Sequence, residues 1–543
     1  MKNKILSIMA IFTLFIGIAA LPCRVMAAEN TVSTVGASSG TTGSCTWSLD
    51  DNGVLTISGE GSMGSYQQEP APWGTGIKKL IVEEGVTYLG SDAFENCSDL
   101  TSITLPESLT QIGSGVFRNC TALHSITIPK NVTKMGSFVF SDCISLTNVD
   151  VLGNIKSLFP YTFAYCQSLK NVKLPDSLTL INHNAFKCCT GLTELKIPDS
   201  VTTINKMAFM ECESLASINI PDNATEIKES TFYGCKSLET IEIPDNVSVV
   251  ERDAFTNTAW YNNQPDGVVY AGKVVYKYKG EMPENTLIEI KDGTKGITTG
   301  AFEYRKNLKS VTIPNSVIYI GSNAFRGCTN LISVKLSGNL TTIGQWVFYE
   351  CKNLKNVVFG DGATTIGYGE FSGCSGLENI TLPDTLTEIR SDAFYNCKSL
   401  KSIIIPNEVK IINAYTFSGC ENMSSITIPE SVYKIDYDAF DRCDNLTIYG
   451  VKGSYAETFA NNNNIPFKEI GSEKNTVGDL SNDGSIDVQD ALLVQKFIVN
   501  KATLTNNQKE LADVNNDGFV DVIDAVMIQK YAAGKITEFT KVA

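Results

Sequence analysis

The chain has 543 residues, 43% of them apolar and 19% charged. That is the composition of a folded protein, but too long a chain for one ordinary core, so several domains or a repeat array are expected. With 59 acidic residues against 44 basic ones the net charge is −15, which argues against nucleic acid or an anionic membrane as partner.

The first predicted element, residues 1–28, is a secretory signal peptide. Lys2 and Lys4 precede an unbroken apolar or small run from Ile5 to Leu21, and Ala27 and Ala28 offer a cleavage site. Cys23 follows Pro22 instead of a small residue, so lipid attachment is not expected. No second apolar run is long enough to cross a bilayer, and no sorting signal is read at the C-terminus. The mature protein is therefore expected to be secreted and held non-covalently.

Residues 29–76 are read as an N-terminal cap. Trp47 and Leu49 alternate on one arm of a hairpin, Leu55 and Ile57 on the other, with Asn52-Gly53 in the turn.

A repeat follows. Phe occurs at 94, 117, 140, 163, 186, 209, 232 and 255, then at 302, 325, 348, 371, 394, 417 and 440, with an interval of 23 within each run. With 25 Phe in 543 residues, two such runs are not accidental. Leu falls six residues after Phe in all but two repeats (Tyr261 and Met423), followed by Ile-x-Ile-Pro, as in Ile126-Thr127-Ile128-Pro129. Another aliphatic, such as Ile112 or Ile320, lies five residues before Phe. Ile-x-Ile predicts a short strand with one buried face, ended by a proline that has no N–H for the ladder. The residues just before Phe predict a single helical turn. No single repeat can bury its Ile, Leu and Phe alone, so the periodicity predicts stacked units over 77–256 and 301–450.

The insert at 257–300 carries Trp260, Tyr261, Tyr270, Tyr276 and Tyr278, with Gly267 to Tyr276 reading as a hairpin. Its aromatics are possible ligand-binding residues, able to stack on sugar rings; the alternative is that they pack the break between the half-solenoids. Residues 451–476 read as a C-terminal cap and linker. Ser454 to Glu457 start a short helix as a capping box, and Ile465-Pro466-Phe467 cover the last rung.

Cysteine stands three residues after Phe in thirteen repeats. Parallel rungs do not bring Cβ atoms together as a disulfide requires, and neither Cys-x-x-Cys nor abundant His is present for a metal. A ladder of buried thiols is expected.

With its Ala-Phe-x-x-Cys-x-x-Leu-x-x-Ile-x-Ile-Pro frame, the segment from about 77 to 450 resembles the BspA-like family of bacterial surface leucine-rich repeats. The expected fold class is thus an α/β repeat, a β-rich leucine-rich-repeat solenoid with a hairpin cap, followed by a small all-α module.

That module, residues 477–536, holds the most informative motif. Asp479, Ser481, Asp483, Ser485, Asp487 and Asp490 occupy positions 1, 3, 5, 7, 9 and 12 of a loop with Gly484 at position 6. Asp513, Asn515, Asp517, Phe519, Asp521 and Asp524, with Gly518, repeat it in the same register further along the chain. Hard oxygen donors at this spacing, with position 7 giving its backbone carbonyl, form the EF-hand loop pattern and predict two calcium sites. An amphipathic helix follows each loop and no full helix precedes either. The duplicated loop and helix resemble a type I dockerin, which implies a cohesin domain on a scaffoldin as partner, in a cellulosome-type complex. The resemblance assigns cohesin contacts to Val488, Gln489, Gln495 and Lys496 in one copy and to Val522, Ile523, Gln529 and Lys530 in the other. Near-repetition implies that either copy can dock, with the module rotated by half a turn.

For an enzyme, the segments outside repeats and module are too short for a catalytic domain, and His124 and His183 fall at variable surface positions with no fixed base or nucleophile beside them. A non-catalytic binding component is expected. The exposed positions of the strands (Thr104, Thr127, Lys173, Lys196, Thr312, Thr381, Thr427) lack regular aromatics. The family resemblance implies a protein ligand, a carbohydrate-targeting role is the alternative, and a glycoside hydrolase ranks lowest.

Overall fold

In the computed structural model of the protein, residues 38–360, 362–470, 476–481, 484–499, 501–504 and 506–539 are described. The expected signal peptide and the ligand position Asp483 lie outside them. The chain divides between Gly280 and Glu281 into two compact units.

The first unit opens with the expected hairpin. Strands Cys45–Leu49 and Val54–Gly59 pair antiparallel with Trp47 opposite Ile57 and Leu49 opposite Leu55, and Ser38–Thr42 adds a third strand. Asp50 accepts from the N–H groups of Asn52 and Val54, tying the turn. Trp73 stacks on Phe94 at 5.6 Å, so the cap supplies the aromatic that the first rung lacks on its open side.

From there the interval along the chain becomes a spatial one. Ile126 pairs with Val149 and Val149 with Val172, all parallel, each partner the equivalent residue of the next repeat. Two-residue strands such as Gln111–Ile112 and Lys134–Met135 form a second parallel ladder at the aliphatic five before Phe. The Phe rings stack one on the next at 5.3–5.7 Å from Phe94 to Phe255, and all are buried. In the second unit the rings from Phe302 to Phe440 repeat this at 5.2–5.6 Å.

The segment around each Phe is not the single helical turn expected. Alternate residues do two different things. The N–H groups of Ala93, Glu95 and Cys97 close three-residue turns onto Gly90, Asp92 and Phe94, whereas those of Asp92, Phe94 and Asn96 reach the next rung at Ser114, Val116 and Arg118. Aiming every second N–H along the stack puts the residues two before and two after Phe at positive φ, as in Asp92 (56°) and Asn96 (61°). A helix cannot contain such residues, which is why it does not form. Asn, Asp and Gly are common there because they tolerate the left-handed region.

The cysteine ladder is present, and it has a bonding role. Cys120 Sγ donates to the Phe94 carbonyl at 3.3 Å and Cys143 to Phe117 at 3.1 Å. The pattern recurs through Cys235 in the first unit and from Cys328 to Cys443 in the second. A small residue with a weak donor fits a buried slot facing a carbonyl. The thirteen ladder cysteines are buried free thiols, and burial raises the pKa of Cys120, Cys166 and Cys351 well above the ordinary thiol value and that of Cys143 to about 12. A thiol titration is therefore expected to find the ladder silent in the native protein and to count at least thirteen thiols after denaturation without reductant. A denatured count near zero would mean disulfides and refute the ladder.

The second unit ends as the sequence implies. Ser454 caps helix Tyr455–Asn462, Glu457 returns a bond to the Gly453 N–H, Phe459 packs edge-on against Phe440, and Phe467–Glu469 pairs with the last strand.

Candidate functional site

The small helical module repeats itself in space as it does in sequence. Leu480, Ala491 and Val494 are buried in one core with Val514, Ala525 and Ile528, their counterparts in the second copy. Helices Val488–Ile498 and Val522–Ala532 follow the loops. A short helix, Asn506–Ala512, also precedes the second loop, which the sequence reading did not foresee; Leu511 and Ala512 bury its inner side.

Each loop is held by its own carboxylates. Asp479 Oδ2 accepts from the Gly484 N–H and Asp513 Oδ2 from that of Gly518, both at 2.9 Å, and both glycines sit at φ 85° where the loop turns. Asn515 and Asp517 are linked side chain to side chain at 2.9 Å, and the Phe519 N–H donates to Asp517. Ser481 stands beside Asp479, its Oγ 3.3 Å from Oδ1. Positions 9 and 12 double as helix caps. Asp487 and Asp490, and likewise Asp521 and Asp524, form reciprocal capping boxes. An Asp at position 12 is short enough to fold back on the cap N–H.

Among the described residues, no three acidic, His or Cys side chains converge at ligand spacing; the loops are shaped, and their carboxylates point to backbone donors. The charge distribution nonetheless fits a hard cation. Burial pushes the Asp490 carboxyl up to about 6, against hydrogen bonds from Asp487 and Ser481 and with the charges of Asp479 and Asp487 adding to the rise. Asp524 is raised for the same reason, with Asp513 adding to it. Buried acids crowded without a counter-charge are what a divalent ion would relieve.

The residues assigned to cohesin contacts lie on the outer sides of these helices, but the copies differ. Val488 and Val522 are equally open, whereas Ile523 is 52% exposed, Gln529 and Lys530 are exposed, and Gln489, Gln495 and Lys496 are half-buried. Phe519, 72% exposed, extends the second face where the first has Ser485.

The aromatics of the insert are largely consumed by packing. Tyr276 is buried, and its hydroxyl accepts from the Phe255 N–H at 3.0 Å, the place that a carbonyl of the next rung fills elsewhere. Trp260 packs on Phe255 at 4.7 Å and Tyr261 edge-on to Tyr276 at 5.6 Å, both half-buried, as is Tyr270. Tyr276 thus offers no ring face to a ligand, and the group closes the end of the first unit.

On the strand side of the first unit, Lys173 and Lys196 line a groove of about 860 Å³ together with Lys170, Glu194, Asn219 and Glu242. Its charges are mixed. His124 is bonded to the nearby Ala122 carbonyl and His183 packs edge-on to Tyr161. Among the described residues neither has a hydrogen bond to a nucleophile or a carboxylate.

Sequence reasoning missed one feature. On the turn side of the second unit, Tyr304, Trp346, Tyr349, Tyr368, Tyr395, Tyr415 and Tyr437 all lie within three residues of a rung Phe. Since they fall at different offsets, no single column of the repeat reveals them; scoring the whole turn segment for aromatics would have.

Among the described residues no helix is long and apolar enough to cross a membrane. The sequence profile of the BspA type leucine-rich repeat region (six copies) matches residues 73–189, 143–262, 276–401 and 347–466, and that of the dockerin type I domain matches 477–532. No curated protein matches significantly. Among solved structures, the chain is similar to a leucine-rich repeat protein from Bacteroides ovatus (26% identity over 79% of this chain and 99% of that one, TM-score 0.35). It is also similar to one from Eubacterium ventriosum (24%, 75% and 95%, 0.32) and to a leucine-rich cell surface protein from Faecalibacterium prausnitzii (25%, 78% and 98%, 0.29).

Proposed function

Because the chain belongs to the BspA-type leucine-rich-repeat family and carries a type I dockerin domain, we propose that it is a secreted, non-catalytic binding component. In this reading the dockerin anchors it, in a calcium-dependent way, to a cohesin on a scaffoldin of an extracellular polysaccharide-degrading complex. The observation that carries the reading is the duplication of loop, capping box and helix around one small core. Asp479, Ser481, Asp483, Asp487 and Asp490, with the Ser485 carbonyl, would hold one calcium. Asp513, Asn515, Asp517, Asp521 and Asp524, with the Phe519 carbonyl, would hold the other. Calcium supplies the positive charge that these crowded acids lack, and the chain's own capping boxes then orient both helices toward cohesin.

The repeats and the dockerin are not catalytic domains, and among the described residues the two histidines have no hydrogen bond to an acid or a nucleophile. A ligand of the repeats is proposed to be protein, supported by the mixed charge of the strand-side groove, which suits a polypeptide better than a neutral sugar. The aromatics on the turn side of the second unit favour carbohydrate as a second reading.

The test is capture of the full chain on a panel of type I cohesin domains. Binding is expected with calcium and is expected to vanish on chelation, while the far-UV signal of the repeats persists. Val488→Asp with Gln489→Asp, and Val522→Asp with Ile523→Asp, ask whether either copy suffices. Each pair alone is expected to leave binding largely intact and all four together to abolish it. Loss from one pair alone would rule out interchangeable faces, and chelator-resistant capture would end the calcium reading.

A further inference from the structure

We propose that the turn side of the second unit is a binding site for a linear polysaccharide, with Trp346, Tyr368, Tyr415 and Tyr437 as its stacking platforms. The first support is backbone strain. Trp346 and Tyr415 sit two residues before their rung Phe at φ 53° and 55°, a conformation that bulky side chains adopt only at a cost. Asn323, Gly369 and Asp392 fill the same column more comfortably. Strain of this kind persists where a side chain is needed in place.

The first unit shows what internal compensation looks like. There Phe138 and Tyr161 occupy that column at φ 60° and 58°, but their rings stack on each other at 4.7 Å with 10° between planes, and Arg118 lies over Phe138. Their faces are used up. Among the described residues no ring stacks on Trp346, Tyr415 or Tyr437. Tyr437 is 81% exposed, Tyr368 42% and Tyr415 41%; of the four platforms only Tyr368 has a described cation over it, Arg390 at 5.3 Å. The Trp346 ring reaches over the next rung, where a Cβ on Gly369 would come within 2.4 Å of Cδ1. Glycine at 369 leaves the indole its place.

The arrangement also selects the ligand class. The four residues stand on rungs 348, 371, 417 and 440, and the Phe stack beneath spaces neighbouring rungs by 5.4–5.6 Å. That is close to the length of one sugar in an extended chain. The rings stand at two offsets and skip the Phe394 rung, yet a file spread along the stack suits an extended polymer, whereas protein hot spots gather in a compact cluster. The electron-rich ring face attracts the C–H face of a pyranose. Asp392 and Asp438 flank Tyr415 in its own column; Asp438, 4% exposed, is hydrogen-bonded to the Tyr415 side chain, and its Oδ1 has no donor among the described residues. Carboxylates beside aromatic platforms suit sugar hydroxyls.

The test is affinity electrophoresis of the full chain through gels containing a soluble β-glucan, mannan or xylan. At least one is expected to retard the wild type. Trp346→Asn with Tyr415→Asn is expected to weaken retardation at least tenfold, with a thermal midpoint unchanged or raised because Asn tolerates positive φ. Cohesin capture, which rests on the other module, should not change. Tyr437→Ala, at a side chain too open to be structural, is expected to weaken retardation several-fold and guards against misfolding of the double variant. Failure of all three polysaccharides to retard the wild type, or normal retardation of Tyr437→Ala, overturns the proposal. So does a protein ligand that Tyr437→Ala no longer binds while no polysaccharide is retained.

Discussion

Asp524→Ala is expected to abolish cohesin capture in the presence of calcium and to unfold the helical module, with the repeats unchanged. The carboxylate is buried. Its Oδ1 accepts from the N–H groups of Val514 and Asn515 at 3.0 and 3.4 Å, and its Oδ2 from that of Asp521 at 2.9 Å. Each buried N–H left without a partner costs about 1–3 kcal/mol. The substitution also breaks the capping box of helix Val522–Ala532 and removes a proposed calcium ligand. A module whose core is this small has little reserve against such a loss. Calorimetry of cohesin binding, with circular dichroism on the isolated transition of the module, measures both effects. Wild-type affinity in Asp524→Ala would remove position 12 from the site.

The second large effect concerns pH and lies in the repeats. Glu370 stands immediately before Phe371, where neighbouring rungs carry Val347 and Ala393, and its side chain is fully buried. One oxygen accepts from the Gly367 N–H at 2.8 Å; the other, Oε1, has no partner among the described residues. Burial pushes its pKa up to about 8, the Gly367 bond opposing the rise, from an ordinary value of 4.5. The folded state therefore holds its proton more tightly than the unfolded state. Below pH 4.5 both forms are neutral and nothing is lost. As the pH climbs toward 8 the unfolded chain gains by ionising, and stability falls by about 1.4 kcal/mol per pH unit, of order 5 kcal/mol in all. Glu370→Gln, an isostere of the neutral acid, is expected to match the wild type near pH 4, to be more stable by a few kcal/mol at pH 8, and to flatten the curve between. Parallel denaturation curves for the two proteins across that range would show the opposite.

Regularity decides what the sequence makes legible. The interval between Phe residues, the Ile-x-Ile strands and the buried cysteines are each fixed by a side chain repeated in one column, so stacking follows from the residues alone. The duplicated loops are legible because oxygen donors must fall at set positions. What escapes are features without a column. The conformation around Phe94 is set by N–H groups reaching the next rung, and its only trace in the sequence is the scattered Asn, Asp and Gly at the positive-φ positions. Helix Asn506–Ala512 is a short segment made stable by packing of Leu511 and Ala512. The role of Tyr276 follows from a missing acceptor one rung further on, and Glu370 looks like any surface acid until Val347 and Ala393 are seen beside it.

The bond from the ladder thiols, Cys120 to Cys235 and Cys328 to Cys443, to the Phe carbonyl of the preceding rung has an evolutionary corollary. Within each run it makes one coil's contract with the next the same, so excising or duplicating one such unit leaves the same donors opposite the same acceptors at the new junction. Such an array can change its reach by whole copies without redesigning its interior, and selection is then free to act on the outward-facing residues alone.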